Sequence, residues 1–334
     1  MHIKQWHMKH TGTSRRTEQG DDAVNVQGES AQGRMSRVVT ELIAVLTAVR
    51  DGVPQVMTID DGRLLPSGPL ESGHRSLQAG VRSWVEQQTG HPIGHVEQLY
   101  TFADHDRTLH PEQGRSISIS YLALTRSEAR ETGWRDWYDY FPWEDRTSES
   151  RKEITNLIER RLCAWVAGMT DLETRMRQWQ RCMALFAIGD GGGWDDELVL
   201  QRYELLYEAK LVMEAACPPD QAIPGRYMHR DHRRILATAM ARLRARIRYR
   251  PVVFELMPEE FTLFQLQRAV ESLAGCHVHK QNFRRLITQQ QLVEETGRIE
   301  EKTGGRPARL FRFCGEVRRA RQFAGTKLPI VHSG

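Results

Sequence analysis

The sequence predicts an α+β chain made of an N-terminal α/β sandwich, a helical middle segment and a C-terminal winged helix-turn-helix. Three observations predict it. Between residues 36 and 146 short apolar runs alternate with Asp-Gly turns; from 147 to 250 the apolar spacing changes to that of helices; after 251 the order is helix, helix, strand, turn, strand. A chain of 334 residues has room for two or three such units, each with its own core.

Composition sets the limits. Hydrophobic residues make up 40% and charged residues 27%, and no apolar run approaches the roughly 20 residues of a membrane span. The N-terminus lacks the apolar core of a secretory signal, so a cytoplasmic protein with no membrane partner is expected. Residues 1–35, rich in Gly, Ser, Thr, Gln and charge, read as a disordered arm; there His2, His7 and His10 suggest a metal less strongly than they suggest a tail. The five cysteines (163, 182, 217, 276 and 314) form no CxxC pair, which predicts reduced, mostly buried thiols and no zinc site. The net charge of +4 is small, but 226–250 and 298–321 are arginine-rich, and 315–334 reads as a basic tail.

The sandwich is expected over 36–146. Val38–Val49 reads as a buried strand, Asp51-Gly52 as a hairpin turn, and VPQVMTI as the returning strand; Asp61-Gly62 marks a second turn. Next comes LPSGPLESGHRSLQAGVRSWVEQQTG, residues 65–90, with Leu77, Val81, Trp84 and Val85 at helical spacing and Gly90 placed to cap the helix. This loop and helix resemble a Nudix box, in which glutamates hold divalent metals against a pyrophosphate. At the positions of that family's Arg-Glu and Glu-Glu pairs stand Ser83, Trp84, Gln87 and Gln88, and His74 and Arg75 occupy the place of the loop glutamate. Only Glu71 and Glu86 remain as weak donors, so the expectation is a degenerate Nudix sandwich with no catalytic residues and no metal ligands.

HVEQLYTFADHDR and SISISYLALT predict two further strands, the second with Ile117, Ile119 and Tyr121 on one face. The aromatic run WRDWYDYFPW at 134–143 is either a hydrophobic plug at the sheet edge or dimer contact, or a nucleotide-stacking surface. In the middle segment, 147–250, one apolar stripe runs from Ile154 to Met169 and a second from Met176 to Phe186. A third helix is expected from about Asp195 to Ala216, stopped by Pro218 and Pro219. From Asp231 to Tyr249 Ile235, Leu236, Ala239, Leu243 and Ile247 share a face, and the arginines around it either solvate the surface or approach DNA phosphates. This segment is expected to be a linker or a dimerisation surface.

Residues 251–314 predict the winged helix. Thr262 and Gln265 form a capping box, Leu263, Leu266, Val270 and Leu273 the buried face of a helix that ends at Gly275. A second helix starts near His279; with Phe283, Leu286 and Ile287 inward, Gln281, Asn282, Arg284, Arg285 and Thr288 point outward. Gln, Asn and Arg are the side chains that read base edges. Arg298, Lys302, Arg306, Arg309 and Arg312 lie in or beside the wing, where cations meet phosphate.

A Nudix-like domain ahead of PEEFTLFQLQRAVESLAG, NFRRLI and GGRPARLFRF resembles the Nudix-related transcriptional regulators of NAD metabolism. EQLYTFADHDR, SYLALT, WYDYFPWED and DHRRILATAMARLRARIRYRPVVFEL are most similar to the NadQ type of that group, a relative of NrtR. The resemblance spans residues 36–314 and implies a homodimeric repressor of NAD biosynthesis genes on a double-stranded DNA operator, with NAD, ATP or ADP-ribose as effector and no catalytic cofactor. For that nucleotide Tyr100 and Phe102 are candidates for stacking, Arg107 for phosphate and Asp104 for a ribose hydroxyl. The alternatives are an active Nudix hydrolase of a nucleoside diphosphate derivative with a DNA-binding appendage, and a protein-interaction scaffold without ligand.

Overall fold

The computed structural model describes residues 38–94, 96–103, 116–126, 132–189, 192–249, 252–300 and 307–314. The expected arm and basic tail lie outside the described residues, as do Asp104, Arg107, Lys302 and Arg306. Among the described residues no helix is long and apolar enough to cross a membrane.

The first strand, β1 (Val39–Arg50), is the axis of the sheet. It turns through Asp51 and Gly52, with φ of 53° and 77°, into β2 (Val53–Met57). Two successive positive φ values give the hairpin turn whose twist matches the strands, hence Asp-Gly. β3 (Ser67–Pro69) shares that edge of β1, and the other edge pairs in parallel with β5 (Ser116–Leu124) from Val39 to Thr47. β4 (Glu97–Phe102) and β6 (Trp134–Asp136) complete the order β4-β5-β1-β2-β6.

β1 is buried on both faces, and its alternation assigns each residue to one of two cores. Leu42, Ala44, Leu46 and Ala48 pack under α1 (Leu77–Thr89) with Val81, Val85 and Tyr121. Ile43 and Val45 face a larger cluster formed with Leu99, Phe102 and the helices that follow. Ser76 caps α1 by accepting the Ala79 N–H at 3.1 Å, and Gly90 closes it at φ 67°.

Over the second face lie α2 (Arg151–Ala167), α3 (Leu172–Phe186), α4 (Val199–Glu208) and α5 (His232–Tyr249). The middle segment, expected as a linker or dimer surface, thus also has an intramolecular part: Ile235, Leu236, Ala239, Leu243 and Ile247 share one core cluster with the sheet. α4 is shorter than expected. It ends at Glu208 because Lys210, at φ 54°, turns the chain so that Leu211 and Val212 are buried, and a one-turn helix at Met213–Ala215 follows. The arginines of α5 do not all solvate a face either, since Arg233 and Arg244 are fully buried. The aromatic run is a plug: Trp137, Tyr140, Phe141 and Trp143 are at most 1% exposed, which takes their faces away from any stacking ligand. Of the cysteines only Cys182 is buried; Cys163 is exposed and the other three are half-buried.

The winged helix comprises α6 (Leu263–Ala274), α7 (Lys280–Gln289), β7 (Val293–Glu300) and β8 (Ala308–Phe313). The capping box is formed in both directions, Gln265 N–H to Thr262 Oγ1 at 3.1 Å and Thr262 N–H to Gln265 Oε1 at 2.7 Å. It supplies about 1 kcal/mol of helix stability. The described residues all lie in one compact unit, and the apolar cluster of the sheet's helical face continues into α6 and α7.

One buried histidine ties the loop before β3 to α5. His232 is 1% exposed and its Nδ1 accepts the Leu65 N–H at 2.9 Å. Burial, reinforced by nearby Arg230 and His229, pulls its pKa down to about 3. The unfolded chain, with a pKa of about 6.5 at this residue, takes up the proton first, so its stabilisation is full above about pH 6.5 and is lost as the pH falls towards 3. Urea unfolding should show about 2 kcal/mol less stability at pH 5 than at pH 7 from this group. In His232→Asn, whose amide oxygen can accept the same N–H, that slope should vanish; an unchanged slope would place its origin elsewhere.

Candidate nucleic-acid interface and sensor surface

α7 is seated by Phe283 and Ile287, both at most 1% exposed and one helical turn apart. Its outer face carries Gln281, Asn282, Arg284, Arg285 and Thr288, all exposed, while Leu286 is half-buried beside the two anchors. The turn that aims α7 is braced by two α6 side chains that the sequence reading did not single out. Glu271 Oε1 accepts the Val278 N–H at 2.8 Å, and Gln267 Nε2 donates to the Val278 carbonyl at 3.1 Å and to Glu271 at 2.9 Å. Their i, i+4 spacing was visible, but not that their target is a backbone turn.

The wing differs from α7 in electrostatics. Arg309 pairs with Glu295 at 2.9 Å, Arg312 with Glu294 at 2.6 Å, and Arg298 with Glu260 at 3.2 Å. Among the described residues Arg284 and Arg285 have no ion-pair partner. The α7 cations therefore keep their full charge for another molecule, whereas each of these wing cations is shared with a glutamate. Phe261 forms a one-residue β-bridge to the wing, exchanging backbone hydrogen bonds of 3.0 and 2.8 Å with Phe311.

On the α1 face, two of the side chains at the positions compared with the Nudix box, Trp84 and Gln88, are engaged with backbone. The Gln88 amide clamps β3 at two points, accepting the Ser67 N–H at 3.0 Å and donating to the Ser67 carbonyl at 2.8 Å. Trp84 Nε1 donates to the Pro69 carbonyl at 3.0 Å, and its ring lies so close over Gly68 that a Cβ there would come within 2.3 Å. Gln87 bonds Ser83 at 3.4 Å. His74 sets its ring edge-on to Trp84 and accepts the Glu71 N–H at 3.1 Å. Glu41, beside this clamp, pairs with Arg230 at 3.0 Å and accepts from Ser67 Oγ at 3.2 Å. Among the described residues there is no group of three or more His, Cys, Asp or Glu able to hold a metal.

The stacking pair is split. Tyr100 is 58% exposed, whereas Phe102 is 3% exposed, packed in the core with the Arg234 guanidinium 4.7 Å from its ring. Phe102 is thus a core residue in this fold: β4 departs from simple alternation, with a register shift between Gln98 and Tyr100, and its two buried residues are Leu99 and Phe102. The two rings meet edge-on at 4.9 Å, so only Tyr100 offers a ring to solvent.

Residues 253–313 match the family described as the NrtR DNA-binding winged helix domain. A curated relative from Acinetobacter baylyi, the ADPR responsive transcriptional repressor NtrR, is 41% identical over 84 residues; the match covers 25% of this chain and spans about a third (33%) of that relative. Among solved structures, Shewanella oneidensis NrtR complexed with a 27mer DNA aligns at 20% identity and a TM-score of 0.48, covering 86% of this chain and 99% of that one. A MutT/nudix family protein from Enterococcus faecalis aligns at 14% identity and a TM-score of 0.46 over 83% of this chain and 87% of that one.

Proposed function

We propose that this chain, an NrtR-like Nudix-related regulator, is a ligand-responsive DNA-binding transcriptional repressor. The observation that carries the reading is the NrtR-type winged helix at 253–313, whose α7 presents Gln281, Asn282, Arg284, Arg285 and Thr288 on one exposed face. On this reading α7 enters the major groove and reads base edges, while Arg298, Arg309 and Arg312, with Lys302 and Arg306 beyond the described residues, follow the phosphates. Two copies hold two half-sites, as a homodimer of NAD biosynthesis repressors would, and an adenine nucleotide such as ADP-ribose shifts DNA affinity by binding one arrangement better than the other. NAD and ATP are the competing effectors. Tyr100 is the ring we assign to the adenine, with Asp104 and Arg107 as its neighbours in sequence.

We further propose that the Nudix-like domain binds its nucleotide without hydrolysing it. Gln88 and Trp84 support this, because both are committed to backbone contacts and neither can carry the charge that a catalytic cation needs. The experiment is a gel-shift titration at fixed salt with DNA from the gene's own neighbourhood, adding ADP-ribose, NAD and ATP in turn, followed by product analysis of each mixture with magnesium or manganese. One nucleotide should shift the binding curve and all should be recovered intact. Turnover that disappears in Glu86→Gln would establish the hydrolase reading instead.

A further inference from the structure

Away from the sheet's α1 face, between α2 and the α3–α4 connection, lies a cavity of about 330 Å³, at the lower end of ligand-pocket sizes (~300–1,000 Å³). Its lining includes Arg146, Arg151, Thr155, Asn156, Glu159 and Trp194. Arg151 is the unusual member. It is half-buried, has no carboxylate at ion-pair distance among the described residues, and spends only its Nε, on the Trp143 carbonyl at 3.3 Å. Its guanidinium stacks over the Trp194 ring at 4.5 Å, which fixes its plane and leaves the Nη groups for another acceptor.

The surroundings favour an anion. The guanidiniums of Arg146, Arg151, Arg202 and Arg244 outnumber the buried carboxylates among them, Glu144 and Asp196. One carboxylate, Glu144, is shared by Arg202 and Arg244, and Arg146 reaches Asp196 at 3.3 Å, so among the described residues the cluster stays positive and Arg151 is its cation without a paired carboxylate. Partial burial, and then the like charge of Arg146, hold the Arg151 pKa below its ordinary value, a penalty that a bound anion would relieve. Glu159 is exposed at the mouth, placed to accept from a hydroxyl rather than to neutralise the interior.

We propose that this cavity is a second binding site, for a small phosphate-bearing anion held by Arg151 and Arg146 with Asn156 as a further donor; the Thr155 hydroxyl is spent on the Arg151 and Lys152 carbonyls at 3.0 and 3.1 Å. Guanidinium nitrogens and an amide donor around one point suit an anion with several acceptor oxygens. The position gives it a route to the DNA reader, and this part rests on the repressor reading. The backbone N–H of Arg146 donates to the Gly275 carbonyl at 2.8 Å, at the C-terminal cap of α6, so a ligand that draws the Arg146 side chain from Asp196 acts on a residue already bonded to the winged helix.

The test is isothermal titration of the full chain with inorganic phosphate, pyrophosphate and AMP. Saturable binding of at least one is expected, weakened tenfold or more by Arg151→Gln and by Asn156→Glu. The second variant sits on the exposed rim and adds a repelling charge without touching the core, so it reports even if the first is poorly folded. Absence of binding by all three probes would overturn the proposal, as would binding that ignores Asn156→Glu but is lost in Tyr100→Ala. Because the titration contains no DNA, its failure leaves the repressor reading standing, and loss of operator binding leaves this site standing.

Discussion

Glu144→Gln is expected to destabilise the protein by about 3–5 kcal/mol, the cost of leaving buried cations without their counter-charge. Glu144 is 0% exposed and receives Arg202 Nε at 2.6 Å, Arg202 Nη2 at 2.9 Å and Arg244 Nη1 at 2.6 Å. Both guanidiniums are buried, from α4 and α5, and glutamine can satisfy part of their hydrogen bonding but none of their charge. Arg244 also donates to the Leu273 carbonyl at 3.1 Å, at the C-terminus of α6, and Tyr138 Oη donates to the Ser272 carbonyl at 2.6 Å. The carboxylate therefore fastens the aromatic plug, two helices of the middle segment and the first helix of the winged helix at one point. Gly275 completes the junction: at φ 70°, a Cβ there would lie 2.4 Å from the Glu144 carbonyl.

The same group has a pH signature. Burial raises the Glu144 pKa, but the attraction of Arg202 and Arg244 outweighs it and the net shift is downward. With the folded value below the unfolded one of about 4.3, its stabilisation is present above that pH and is lost as acid drives the carboxyl through its folded value. Urea unfolding at neutral pH is the measurement. Adding Arg244→Met to Glu144→Gln should recover part of the loss, because removing both partners strands less charge than removing one. A change below about 1 kcal/mol in the single variant would mean that water reaches the junction.

What could be read in the sequence was local. Asp51-Gly52, Gly90, the Thr262 box and Gly275 each announce a turn or cap within four residues, and each forms one, because backbone conformation is decided by near neighbours. Leu42 and Ile43 were readable as buried but not as members of opposite cores, since that depends on α1 and α5 arriving on different faces. Arg244 shows the harder limit. Its α5 neighbours suggested an exposed basic face, and only a carboxylate 100 residues earlier in the chain makes burial tolerable. Phe102 was misjudged for a related reason: an aromatic in an edge strand looks available until a helix is known to cover it. On the α1 surface the absence of glutamates was plain at Gln87 and Gln88, whereas the use of Gln88 to clamp Ser67 needed the β3 backbone in place.

Arg285→Ala should reduce operator affinity by about 1–3 kcal/mol, roughly 5- to 150-fold, and flatten the difference between operator and unrelated DNA. The residue is exposed on α7, has no ion-pair partner among the described residues, and stands on a helix held by Phe283 and Ile287, so binding DNA costs it neither a broken pair nor a reorganised scaffold. Arg309→Ala should act differently. Arg309 is shared with Glu295 at 2.9 and 3.2 Å, so its charge toward phosphate is already reduced, and its loss should weaken all DNA by a similar, smaller factor while lowering the salt slope by no more than ~0.9. If the pairing with Glu295 sets that limit, Glu295→Gln should strengthen binding to any DNA, and Arg309→Ala made in that background should cost more than in the natural chain. Gel shifts at several salt concentrations separate the two residues. Equal effects of Arg285→Ala on operator and random DNA would assign Arg285 to the backbone and move base reading to Gln281, Asn282 or Arg284.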